Sequence, residues 1–162
     1  MADAGDPTDE LDREVREGPH LWSTLGYRRV SWGSGSTTIE WDATAEYGFP
    51  TRGGHVIQGG LVTALLDAAM GGACWSVLGG ESAFLTADLR VEFLRSTRVG
   101  TVRATGTVVR RTRRVVFCEA QLFDAEGVLL AVSRCTQVVL PAEAPGGRAE
   151  PPGASPPLDA RG

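Results

Sequence analysis

The sequence predicts an α+β fold in which one long central helix is wrapped by a curved antiparallel sheet of five to six strands. Two observations carry this. Gln58 to Leu78 is a run of small and apolar residues with a single charge, Asp67, near its middle. After it come Leu85 to Leu94, Thr101 to Thr112, Val115 to Asp124 and Val128 to Leu140, strand-like stretches joined by short links. Short links between successive strands make antiparallel neighbours. Long antiparallel strands twist and curl, and a curled sheet can enclose a helix that is apolar on more than one side.

In chain order, Met1 to Gly18 carries seven acidic residues against Arg13 and Arg16. It predicts at most a short helix from Thr8, the N-cap, with Leu11 and Val15 on one weak face. Leu25 to Trp32 and Ser36 to Asp42 flank a Gly-Ser-Gly turn. The second run alternates Thr37, Ile39 and Trp41 with Thr38, Glu40 and Asp42, as a hairpin with one buried face does. Thr44 to Ile57, with Gly48, Pro50, Gly53 and Gly54, predicts a loop.

In the helix, Leu61, Leu65, Leu66, Ala68, Ala69, Met70, Ala73 and Val77 recur at i, i+3, i+4 on more than one side, the mark of a buried helix. In Leu85 to Leu94 the alternation puts Leu85, Ala87, Leu89, Val91 and Phe93 on one face and Thr86, Asp88, Arg90 and Glu92 on the other. Val102, Ala104, Gly106 and Val108 share a face of the next strand, and Val116, Cys118, Ala120 and Leu122 a face of the one after. Pro141 to Gly162 holds six of the nine prolines and buries too little to order itself. Three segments result: an acidic segment over 1–20, a folded domain over 21–140 and a tail over 141–162.

Composition narrows the function. With 42% hydrophobic and 22% charged residues over 162 positions, the chain is one ordinary soluble domain. A net charge of -4 lacks the broad basic face that general nucleic-acid binding requires. Cys74, Cys118 and Cys135 form no CxxC pair and there are only two histidines, so no metal site is expected and a reducing cytosolic setting follows. No basic-then-apolar leader pattern opens the chain. Leu61 to Leu78 has the length of a membrane span, but Asp67, Thr63, Ser76 and many Ala and Gly residues argue against insertion.

Asp67 has two readings. A carboxylate on an apolar helix is unfavourable unless a neighbour pairs with it or chemistry uses it. It is either hydrogen-bonded to an adjacent element or a base or nucleophile tuned by its surroundings. Gly59-Gly60 likewise either ends a loop or presents unpaired N–H groups and the positive end of the helix dipole to a ligand.

These motifs together resemble a known family. Gly59-Gly60, LDAAMG (66–71), LTADLRVEFLRS (85–96), VVRRTRR (108–114), a DAEG turn (124–127) and LAVSRCTQVVL (130–140) look like the hotdog-fold acyl-CoA thioesterases, in their PaaI-like branch. The resemblance runs from about Leu21 to Leu140. It implies a helix wrapped by a curved sheet, a homodimer or dimer of dimers, and no metal or redox cofactor. It also implies hydrolysis of a small or medium acyl- or aryl-CoA, or of an acyl-carrier-protein thioester. By the same resemblance Gln58-Gly59-Gly60 matches the family's HGG or QGG opening, with the Gly59 N–H polarising the thioester carbonyl. Asp67 matches the helix carboxylate, as general base or nucleophile, and Thr86 the residue that positions it or its water. Two departures stand out: Gln58 replaces a frequent His, and Arg52 a frequent Asn. They favour the alternative of a non-catalytic acyl-CoA-binding protein, and a structural dimer with Asp67 merely satisfied is a third possibility.

Physical reasoning extends this. Eight residues of helix span about 12 Å, whereas both groups must lie within about 3 Å of one thioester. Each site is therefore expected to pair Gly59 of one subunit with Asp67 of the other, which leaves a monomer inactive. Gly60 lets substrate approach the backbone closely. Trp75, Met70 and Phe84 are candidates for an acyl slot or for core. Arg110, Arg111, Arg113 and Arg114 read either as a site for CoA phosphates or as a solvated strand end that deters edge pairing. His20 and His55 are assigned no role.

Overall fold

The computed structural model describes residues 21–78 and 83–141. The helix expected from Thr8 and the tail beyond residue 141 lie outside the described residues. Within them the expected α+β architecture forms. A short helix α1 (Leu21–Leu25) precedes the hairpin of β1 (Arg28–Gly33) and β2 (Ser36–Ala43), and a 3-10 turn (Ala45–Tyr47) leads to β3 (Gly48–Thr51) and β4 (Gly54–Ile57). The long helix α2 (Gly59–Leu78) follows, then β5 (Phe84–Phe93), β6 (Gly100–Arg111), β7 (Val115–Asp124) and β8 (Leu129–Val139). The main sheet has six antiparallel strands in the order β1-β2-β6-β7-β8-β5, which leaves β5 at an edge.

Helix α2 lies across β2, β6 and β7. Its sheet-facing residues Val62, Leu65, Leu66, Ala69, Met70, Ala73 and Cys74 are all buried, so the helix is a core element despite a length and composition compatible with a membrane span. Gly106 sets how closely helix and sheet approach. A methyl group there would stand 2.3 Å from the Ala69 carbonyl oxygen and 2.7 Å from the Met70 nitrogen. Glycine lets helix backbone rest directly on strand backbone. Further along β2 Trp41, opposite Val102 and fully buried, donates its indole N–H to the Leu25 carbonyl at 2.8 Å, which seats α1 against the sheet.

Three expectations need correction. Leu25 ends a helix rather than opening a strand, because its carbonyl is held by Trp41. The predicted loop from Thr44 to Ile57 contains a hairpin, β3 paired with β4. Tertiary bonds hold that hairpin: Arg98 donates to the Gly53 carbonyl at 2.7 Å and the Ile57 N–H to Thr97 at 2.9 Å. In β5, strict alternation fails between Thr86 and Asp88. Thr86 pairs with Gln137 and Asp88 with Thr136, so Ala87 is an extra residue, a β-bulge. Leu85 is consequently 62% exposed on the outer face, and Thr86 turns to the helix side.

Helix α2 is also less enclosed than its composition predicts. Gly60, Ala64, Asp67, Gly71 and Trp75, spaced i, i+4, i+7, i+11, i+15, form a face turned away from β2, β6 and β7 and bordered by Phe84 and Thr86 of β5, and none of the five is buried.

Candidate functional site

The start and the middle of α2 concentrate the polar chemistry. At its start, the Gln58 carbonyl accepts from the Leu61 and Val62 N–H groups at 3.0 and 3.4 Å, and the Gln58 side-chain Oε1 accepts from the Leu61 N–H at 3.2 Å. Gln58 is thus the N-cap, and its carboxamide is engaged in the helix it caps. A side chain at Gly60 would stand 2.7 Å from that oxygen, so glycine there keeps the cap in place. Among the described residues neither the Gly59 nor the Gly60 N–H finds an acceptor. Two free donors at the positive end of a twenty-residue helix make a ready anion or oxyanion site. A cleft of about 460 Å³ adjoins them, lined by Phe49, Val56, Ile57, Val62, Phe93 and Leu94 among others.

Midway along α2, Asp67 lies half-buried on the face turned from β2, β6 and β7, and the Thr86 hydroxyl of β5 stands 3.0 Å from its Oδ1. The bulge at Ala87 makes this contact, since unbroken alternation would turn Thr86 outward. The same hydroxyl lies 3.0 Å from Oε1 of Gln137, which is fully buried on β8. Gln137 Nε2 in turn donates to Cys135 Sγ at 3.3 Å. Gln137 is not among the residues that the sequence motifs single out. Its signal was nonetheless present, because the parity that puts Ala131, Ser133 and Cys135 inward carries the carboxamide inward too. Cys135 pairs with Cys118 across β7 and β8. The Cys135 thiol is held far above its ordinary range, first by its bond to Cys118 and then by burial.

The structure therefore joins Asp67 with Thr86 and separates both from Gln58 and Gly59, eight residues and about 12 Å back along one helix. Trp75 shares the Asp67 face two turns on, its ring centroid 6.3 Å from that of Phe84. Met70 faces the sheet and is fully buried in the core. Arg111 donates to the Val77 carbonyl, so it caps the C-terminal end of α2. Arg113 and Arg114 are exposed in the β6–β7 turn at that same end, and Arg52 is exposed at the tip of the β3–β4 hairpin. Among the described residues no group of His, Cys, Asp and Glu is placed to hold a metal ion.

Residues 54–131 match the sequence profile of the thioesterase superfamily, a span that includes Gly59, Asp67 and Thr86. Over that span the chain is similar to the thioesterase superfamily. A predicted esterase of Saccharolobus solfataricus is 24% identical to it over 124 residues, 76% of this chain and 86% of the relative. Among solved structures, a conserved protein of Pseudomonas aeruginosa aligns with TM-score 0.69 at 28% identity, over 79% of this chain and 98% of its own. The E. coli PaaI protein of the phenylacetic acid degradation operon aligns with TM-score 0.74 at 18% identity, over 84% and 94%. A Haemophilus influenzae thioesterase aligns with TM-score 0.74 at 21% identity, over 86% and 94%. The fold is the hotdog fold.

Proposed function

We propose that this protein hydrolyses acyl- or aryl-CoA thioesters to the free acid and CoA. The observation that carries the reading is the Asp67 carboxylate, set on the β5-bordered face of α2 with the Thr86 hydroxyl 3.0 Å away. A thioester carbonyl has little of the resonance that protects an amide, so two aids suffice. One is a donor for the developing oxyanion; the other is a carboxylate that attacks or activates water. The Gly59 N–H supplies the donor and Asp67 the carboxylate. Water adds to the carbonyl carbon, the C–S bond breaks, and the departing thiolate takes up a proton.

The 12 Å between the two groups on one helix requires two subunits, each site combining Gly59 of one with Asp67 of the other. Residues 21–140 are the catalytic unit. Trp75 and Phe84 line the acyl end, while the exposed guanidiniums of Arg113 and Arg114 meet the CoA phosphates with their planar donor forks. The protein works in a reducing compartment, consistent with three free, buried cysteines.

A second reading has its own observation. The Gln58 carboxamide is engaged as a helix cap, which favours a protein that binds acyl-CoA without turning it over.

The test is thiol release from short, medium and aromatic acyl-CoAs. Asp67→Asn should lower turnover by about a hundredfold or more. Gly59→Pro should do the same, because proline at the first helical position removes the N–H while keeping the helix, with the Phe93 ring, 3.3 Å from the added Cβ, giving way slightly. Mixing the two inactive variants and allowing subunits to exchange should restore about a quarter of wild-type activity. Half the dimers are then mixed, and each mixed dimer holds one intact site of two. No recovery would refute the shared site, and binding without thiol release by wild type would leave the second reading.

A further inference from the structure

The Thr86 hydroxyl has one proton and two acceptor oxygens, Asp67 Oδ1 and Gln137 Oε1, each at 3.0 Å. One proton cannot serve both. With Asp67 ionised, the charged acceptor takes it, since hydrogen bonds to a carboxylate are the stronger kind. Gln137 then has to offer Thr86 a donor. A half-turn of its carboxamide does so, exchanging Oε1 and Nε2, whose positions are otherwise equivalent. That half-turn brings Oε1 to the Cys135 sulfur, which must donate. It can: a neutral thiol carries one S–H, which then points at Gln137 rather than at Cys118.

Every group in the chain is then satisfied in one direction. Cys135 S–H donates to Gln137 Oε1, Gln137 Nε2–H to Thr86 Oγ1, and Thr86 Oγ1–H to Asp67 Oδ1. Gln137 is fully buried on β8 and pairs directly with Thr86 at the bulge of β5. A fully buried carboxamide at this point is unfavourable unless both its ends are used.

We infer that Gln137 is a positioning residue, whose buried carboxamide, seated on Cys135, holds the Thr86 hydroxyl in the orientation that donates to Asp67. Its consequence for turnover rests on the reading of Asp67 as the chemical residue. Without the amide N–H, the Thr86 hydroxyl is free to rotate and the carboxylate loses its fixed donor. Substrate binding is untouched, because Gln137 has no exposed surface.

The test replaces Gln137 with Met, of similar length and without hydrogen-bonding ends. Against wild-type acyl-CoA hydrolysis, kcat should fall about tenfold with KM within about twofold. In a Thr86→Val background the same change should have no further effect on kcat, because the hydroxyl it acts through is gone. Crystal structures of wild type and Gln137→Met should show the Thr86 Oγ1 turned away from Asp67 in the variant. Unchanged kcat, or losses that multiply with those of Thr86→Val, would overturn the inference. If Gln137→Met fails to fold, Gln137→Asn, whose amide falls short of Thr86 by one methylene, is judged by the same criteria. Should wild type release no thiol from any acyl-CoA, the hydrolase reading falls by itself. The Thr86 rotamer then decides alone, and a Thr86–Asp67 bond preserved in the variant overturns the positioning role.

Discussion

Gly106→Ala tests the contact on which the helix–sheet arrangement depends. The new methyl carbon would lie 2.3 Å from the Ala69 carbonyl oxygen and 2.4 Å from its carbonyl carbon. Non-bonded heavy atoms settle at about 3.5 Å, so α2 must retreat from β6 by about 1 Å. Both sides of the contact are backbone, and no side chain can rotate out of the way. Overpacking of this kind costs about 1–3 kcal/mol, and backbone against backbone belongs at the upper end. Alanine recovers about 0.5–1 kcal/mol by restricting the unfolded chain. The net loss expected is therefore about 2–2.5 kcal/mol, or roughly 5–10 °C in melting temperature for a domain of this size. Gly33→Ala is the control, since no atom lies within 4 Å of its added methyl; it should be neutral or slightly stabilising. Urea unfolding followed by tryptophan fluorescence at one fixed protein concentration measures both. If Gly106→Ala equals or exceeds wild type in stability, the close-contact reasoning is wrong.

Two further outcomes follow from surface charges. Glu40 accepts from Arg103 and Arg28, and Asp42 from Arg28 and Thr101. The Arg103 hydrogen bond first and then that of Arg28 hold Glu40 below its ordinary range; the Arg28 hydrogen bond and then that of Thr101 do so for Asp42. A carboxylate lowered on folding stabilises above its unfolded pKa and loses that contribution as pH falls through its folded value. The melting-temperature gap between wild type and Glu40→Gln should thus be full above about pH 5 and close progressively below about pH 4. The arginines of the β6–β7 end should separate by role. Arg111→Ala, which uncaps α2, should cost about 1 kcal/mol in urea unfolding, whereas Arg113→Ala and Arg114→Ala should leave stability unchanged and raise KM for CoA thioesters.

Much of this molecule was legible in residue order. The glycine pair and the largely apolar run of Gly59–Leu78 announce α2, and the alternations of β2, β6 and β7 place Ile39, Trp41, Ala104, Ala120 and Leu122 inward, where all are buried. The β3–β4 hairpin was hidden because Pro50, Gly53 and Gly54 are loop formers locally. Its ladder is held from outside, by Arg98 and Thr97. The β5 bulge was hidden for a different reason: a period of two has no means of counting an extra residue, and Leu85 looks inward by type. At the site, Asp67 and Thr86 could be matched to a family pattern. The contribution of Gln137 needs the register between β5 and β8, a relation between residues 51 positions apart.

The bulge also decides which changes of length β5 can absorb. Removing one residue from a strand ordinarily turns over every side chain on one side of the cut. At Ala87 it would not, because Thr86 already pairs with Gln137 and Asp88 with Thr136. Loss of Ala87 would leave both neighbours opposite their present partners, joined by an ordinary ladder. Loss of Leu89, Arg90 or Val91, away from the bulge, would instead turn one side of the strand over. Insertions and deletions accumulating in this strand over evolutionary time therefore have one permissive address, one residue from the hydroxyl that meets Asp67.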